Sequence, residues 1–201
     1  MVSADRCFGD NEVCPWRTNQ LLVELHPTRV FEDTAPRLAD LDGDEIAEMI
    51  TVESALTQGA RLTVWGQRGG VFRRVATTPF IGRANRWLAP VAAADLDGDG
   101  QMELAYVDRP HLAKTLRVWR FFNDNLTEVA ALSGVSNHRI GEDYISGGLR
   151  DCGGKPEMVL ADAAWRKVLV VAFDGRDFDV RDVAAFTGRH SFAQVLECKV
   201  R

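Results

Sequence analysis

Eight carboxylates fall into two short segments with the same spacing: Asp40, Asp42, Asp44 and Glu48, then Asp95, Asp97, Asp99 and Glu103. Counted from the first Asp, they occupy positions 1, 3, 5 and 9 in both segments. Alternate carboxylates in a tight turn converge their oxygens. A hard divalent cation such as Ca²⁺ takes about six to eight oxygen ligands at roughly 2.3–2.6 Å. Gly43 and Gly98 permit the sharp turn, and position 7, Ile46 or Gln101, can offer its carbonyl. The spacing predicts two Ca²⁺ sites, one on Asp40, Asp42, Asp44, Ile46 and Glu48, the other on Asp95, Asp97, Asp99, Gln101 and Glu103. An EF-hand does not fit. Position 12 is Thr51 or Tyr106 rather than a bidentate Glu, and the residues that follow are β-prone.

The elements around these loops repeat. DLDGDEIAEMITV from Asp40 returns as DLDGDGQMELAYV from Asp95, and a third copy, LRDCGGKPEMVLA, starts at Leu149. Downstream, Arg61-Leu62-Thr63-Val64-Trp65 matches Thr115-Leu116-Arg117-Val118-Trp119, with Lys167–Val171 as a looser third copy. Each is followed by a Gly-, Asn- or Asp-rich turn and another short apolar run. Short Val-, Leu- and Trp-rich runs bounded by turn residues read as strands, and Pro36, Pro79, Pro90, Pro110 and Pro156 leave no room for long helices. Four strands in about 55 residues is the content of a propeller blade. The expected fold is therefore all-β, a small β-propeller of about four blades. Repeats cover approximately 35–88, 89–143 and 144–188, and segments 1–34 and 189–201 join as a closing blade. That closure uses strands at Leu21–Leu25, Thr28–Phe31 and Phe192–Cys198. An elongated β array and a fragment of a larger propeller are the alternatives.

These loops and repeats resemble the FG-GAP/VCBS repeats of integrin-α-like propellers, over about three-quarters of the chain. Ala39-Asp40-Leu41-Asp42-Gly43-Asp44 and Ala94-Asp95-Leu96-Asp97-Gly98-Asp99-Gly100 carry the likeness. Position 9 is Glu where the family usually has Asp, and Glu45 replaces the usual Gly. In the third copy only Asp151 and Glu157 remain, so no Ca²⁺ is expected there. The resemblance implies that the metal is structural and that the protein is a scaffold rather than an enzyme.

The formal net charge is −5, but setting aside those eight carboxylates turns it into +3. The acidity is thus local to the loops. No apolar run approaches the length of a membrane span. Cys7, Cys14, Cys152 and Cys198 contain no CxxC pair. Pairing Cys7 with Cys14 and Cys152 with Cys198 would suit an exported protein, secreted, periplasmic or in the cell envelope; four reduced cytosolic thiols are the alternative. The N-terminal residues lack an apolar signal core.

Strands alternate in direction, so the links opposite the acidic loops form the other face. They hold Arg83, Arg86, Trp87, Arg109, His111, His138, Arg139, Trp165, Arg166 and Arg189. Arginine grips carboxylates and sulfates with a planar fork and stacks on aromatics. This face is expected to present a basic rim for a protein or acidic glycan, with nucleic acid excluded by the overall charge. Pairing of Arg109 with Asp108, or of Arg139 with Glu142, would neutralise it. No HExxH or GxSxG motif is present. The expected function is a calcium-stabilised binding or adhesion module. The competing class is a propeller hydrolase or lyase acting on a polysaccharide or other anionic substrate, for which convergent carboxylates in a deep pocket would be diagnostic.

Overall fold

The computed structural model describes residues 2–3, 20–21, 23–33 and 35–200. Their regular structure is mainly three antiparallel sheets. The first contains β3 (Arg29–Phe31), β4 (Arg37–Ala39), β5 (Glu48–Ala55), β6 (Gly59–Arg68) and β7 (Val71–Thr77). The second contains β8 (Leu88–Ala94), β9 (Glu103–Asp108), β10 (Thr115–Phe122) and β11 (Asn125–Ser133). The third contains β12 (Val135–Ser136), β13 (Gly148–Arg150), β14 (Glu157–Asp162), β15 (Lys167–Phe173) and β16 (Phe178–Ala185). β1 (Val2–Ser3) and β2 (Gln20–Leu21) pair with each other. Helix α1 (Arg189–Leu196) follows the third sheet.

Each sheet is a meander, because tight turns force neighbours in sequence to pair. Gly69-Gly70 and Asn123-Asp124 both take positive φ as two-residue connections. That is the geometry whose twist matches right-twisted strands, and Asn, Asp and Gly tolerate it best. The repeat extends to irregularities. The third strand of each sheet shifts register against the fourth at Val64/Trp65, Val118/Trp119 and Val168/Leu169.

Packing follows from strand alternation. All six residues of β9 are buried. Leu104 and Tyr106 join the cluster shared with Ile50, Leu62 and Val64 of the first sheet. Ala105 and Val107 join the cluster shared with Met158, Leu160 and Val171 of the third. The middle sheet is thus sandwiched, which is why β8 and β9 read as nearly continuous apolar runs. The outermost strands, β7 and β11, are mostly exposed or half-buried.

Three expectations change. The strand expected at Phe192–Cys198 is a helix. Phe192, Val195 and Leu196 stand at i, i+3 and i+4, and they pack on Val159, Ala161, Val168 and Val170 of the third sheet. A strand would put alternate residues on opposite faces and bury fewer of them. The segment 189–200 therefore adds no strand to a closing blade. The strand near Thr28–Phe31, expected there too, pairs with β5 in the first sheet. The first strand of the outer sheets is also broken: β3 and β4 pair with opposite ends of β5, as β12 and β13 do with β14. The third sheet thus begins at Val135, and residues 137–147 are an excursion within it rather than a link between sheets.

Candidate metal loops and the opposite groove

The first acidic loop joins β4 to β5, and the second joins β8 to β9. Each is built by its own carboxylates. Asp40 accepts the N–H groups of Gly43 (2.8 Å) and Glu45 (2.9 Å), and Asp44 accepts that of Ile46 (2.8 Å). In the second loop Asp95 accepts from Gly98, Asp99 and Gly100, and Asp99 from Gln101. Position 6 takes a positive φ in both, Glu45 at 68° and Gly100 at 87°. Glycine does this without strain; Glu45 does not, at a cost of order 1 kcal/mol or more.

Oxygens of Asp40, Asp42 and Glu48 lie within 4.8 Å of one another, as do those of Asp95, Asp97 and Asp99. All-carboxylate donor sets of this kind suit a hard cation. Both clusters could hold a metal ion. Asp44 and Glu103 fall outside these clusters. Glu103 is fully buried, accepting Leu96 N–H at one oxygen (2.9 Å) and Arg120 Nε–H at the other (2.7 Å). Burial holds its carboxyl above the usual range despite those two donors. Glu48 likewise accepts Leu41 N–H at 2.9 Å. Position 9 thus fastens the loop to the sheet in both repeats, and Glu48 also faces its cluster. Ile46 is exposed, and the Gln101 side chain turns to Asp99.

Arg68 and Arg120, from β6 and β10, are participants that the loop pattern did not reveal. Arg68 pairs with Asp42 (2.8 Å), Glu48 (3.0 Å) and, in the second sheet, Asp124 (2.8 Å). Arg120 pairs with Asp97, Asp99 (3.2 Å) and Glu103 (2.7 Å). The signal available in sequence was an arginine just past each strand-three tryptophan, Trp65 and Trp119, at different offsets. In the third repeat Asp151 accepts the Gly153 and Gly154 N–H groups, and Glu157 pairs with Arg150 and Arg181. There Cys152 forms a disulfide with Cys198, Cα atoms 5.7 Å apart. Cys7 and Cys14 lie outside the described residues.

The other end of the strands carries a second constellation. Trp87 precedes β8 and Asp95 follows it, so the two features are separated by about 20 Å of strand. Trp87 meets His138 edge-on at 5.0 Å, and its Nε1–H donates to the Glu32 carbonyl at 2.6 Å. His138 Nε2 lies 2.9 Å from the Glu142 carbonyl, which can only accept. In neutral His138, Nδ1 is then the acceptor for His111 Nε2–H at 2.9 Å. Burial first, then His138 and Lys114, hold His111 below the usual imidazole range.

Two grooves share Trp87. One, about 300 Å³, has Glu32, Asp33, His138, Glu142, Asp143 and Tyr144 in its wall. The other, about 270 Å³, has Arg86, Arg109, Pro110, His111, Leu112 and Ile140. The expected basic rim is largely paired. Arg109 is held by Asp108 at 2.8 Å, Arg139 by Glu142, and Arg166 lies 3.9 Å from Asp162. Arg139 also stacks over Trp165 and Phe186, and Arg189 over Tyr144. Arg86 makes a hydrogen bond to its neighbour's carbonyl. Burial would raise the Glu142 carboxyl, but Arg139 and Tyr144 bring it below the usual range, the wrong direction for a general acid at neutral pH.

No described helix is long and apolar enough to cross a membrane. Residues 40–106, from the first acidic loop to just past the second, match a family model described as an FG-GAP-like repeat. No curated protein matches the chain.

Proposed function

We propose that this chain, which carries an FG-GAP-like repeat, is a calcium-stabilised binding module of an exported protein, its three sheets arranged as consecutive propeller-type blades. The observation that carries the reading is the pair of carboxylate clusters, drawn from loops of the same spacing at the same strand junction of successive sheets. The metal's role would be structural. Bound between a strand end and the next strand's start, Ca²⁺ would neutralise carboxylates that otherwise repel one another. Extracellular-type sites bind with Kd of about 10⁻⁴–10⁻³ M. At 1 mM calcium, mass action then adds about 0.4–1.4 kcal/mol per site.

Ligand binding is assigned to the opposite groove around Arg86, Trp87 and His111, where Leu112 and Ile140 add exposed apolar surface. The disulfide fits export, because such bonds persist in oxidising compartments. The test of the metal reading is thermal unfolding in millimolar CaCl2 against chelator. The midpoint should rise by several degrees with calcium, and Asp42→Asn or Asp97→Asn should each remove part of the rise. An unchanged midpoint in all three proteins overturns it.

A further inference from the structure

Ile140, Leu56, Leu112 and Val30 are 83%, 73%, 62% and 60% exposed, and all four line two grooves that meet at Arg86. The first groove, about 180 Å³, has Val30, Leu56 and Ser54 in its wall. The second is the groove of Trp87, Leu112 and Ile140. Aliphatic side chains exposed singly are ordinary on a protein surface, whereas several grouped around adjoining grooves mark a place where another surface is buried.

Arg86 stands between the grooves without a carboxylate. Its Nη1 donates to the Asn85 carbonyl at 3.0 Å, and among the described residues it makes no ion pair. Glu32, in the wall of the first groove, accepts the Ser54 hydroxyl instead. Arg109 and Arg139 differ, because Asp108 and Glu142 hold them. The backbone around Arg86 is fixed. Its carbonyl accepts Ala60 N–H from the first sheet at 2.8 Å, and the Trp87 carbonyl accepts Arg109 N–H at 3.0 Å. Gly59 permits that approach: a Cβ there would lie 2.3 Å from the Arg83 carbonyl oxygen and 2.8 Å from that of Arg86. On so pinned a backbone, little further ordering opposes the capture of an anion.

The chemistry favours a protein over a sugar. Four aliphatic side chains offer sugar hydroxyls no hydrogen bond, and Trp87 is already engaged by His138 and, at Nε1, by the Glu32 carbonyl. Apolar grooves beside an arginine and a tryptophan have the make-up of the buried centre of a protein–protein contact. We propose that this end of the strands docks an extended segment of another protein, one that carries an aliphatic side chain, a carboxylate and a second aliphatic side chain at alternate positions. The proposal deepens the assignment of ligand binding to this end and rests on it. Alternate residues of an extended chain share a face at a spacing of about 7 Å. A carboxylate paired with Arg86 then sets one aliphatic side chain over each groove. The charge pair fixes the register, and the grooves supply the apolar area that is buried.

The experiment is selection of a random dodecapeptide display library on the wild-type chain at an ionic strength of about 0.15 M. Heparin, a sulfated glycan, is the parallel probe. Selected peptides should share an aliphatic–x–acid–x–aliphatic pattern. Arg86→Gln, Leu112→Ser with Ile140→Ser, and Val30→Ser with Leu56→Ser should each weaken a selected peptide at least about tenfold. Ile140→Ser alone, at the most exposed of the four, gives the same reading if a pair does not fold. Peptides enriched without that pattern, or binding unchanged within about twofold in these variants, overturn the docking segment. Heparin binding that is lost in Arg86→Gln, with no peptide enriched, also overturns it but leaves ligand binding at this end intact. Binding of neither probe overturns both.

Discussion

Removing the Cys152–Cys198 disulfide is the perturbation whose size the structure sets most directly. The bond closes a loop of sequence separation 46 that contains β14, β15, β16 and α1. In the chain-entropy description, freeing a loop of that length in the unfolded state costs about 4 kcal/mol of stability. For a chain of this size each kcal/mol moves the melting midpoint by roughly 2–4 °C. Cys152→Ala with Cys198→Ala should therefore lower Tm by roughly 8–16 °C. The folded state should change little. Phe192 and Val195 still pack on the third sheet, and Arg150 still donates to the carbonyls of Val195 (3.2 Å) and Val200 (3.0 Å). Urea titrations should accordingly show a lower midpoint, with the slope altered only as far as the uncrosslinked unfolded chain exposes more surface. Differential scanning calorimetry and urea unfolding of the two proteins decide it. A Tm loss under about 2 °C, or free thiols at 152 and 198 in oxidised protein, would refute the reasoning.

Glu53 is fully buried on the first sheet against Arg29 (2.8 Å), Arg61 (2.9 Å) and Arg74 (3.6 Å). Glu53→Gln should cost roughly 1–3 kcal/mol, because it leaves the half-buried Arg29 and Arg61 guanidiniums without their carboxylate. Burial pushes the Glu53 carboxyl up, but Arg61, Thr63 and Arg74 outweigh it and hold it below the usual range. Its contribution is therefore present above the ordinary glutamate pKa and lost as pH falls through the lower folded value, so Glu53→Gln should flatten the acid limb of a urea-midpoint-against-pH curve. At the opposite groove, Arg86→Ala with Trp87→Ala should abolish low-salt binding to an acidic glycan or acidic peptide panel. Arg139→Ala should matter little, since Glu142 already neutralises that arginine. Wild-type protein that binds nothing on the panel at low salt, or a double variant that binds as wild type does, counts against the groove.

What the sequence by itself determined is what local chemistry controls. Carboxylates at positions 1, 3, 5 and 9 around a glycine produce the same self-bonded turn wherever they occur, so both loops were legible. Alternating apolar runs between Gly-Gly and Asn-Asp turns dictate hairpins, so the strands of each repeat were legible too. Proximity between distant segments decided the rest. Ser191 to Leu196 is short and could serve either period; it became a helix because the third sheet offered a flat apolar face for Phe192 and Val195 to cover. The sequence left Arg109 and Arg139 either free on a rim or paired with Asp108 and Glu142, and folding set those carboxylates against them. The role of Arg68 needed a turn 56 residues away, because Asp124 reaches it only when the first two sheets pack. Charge pairs and helix-or-strand choices of this kind depend on what lies across the interface, and a single chain's spacing carries no record of that.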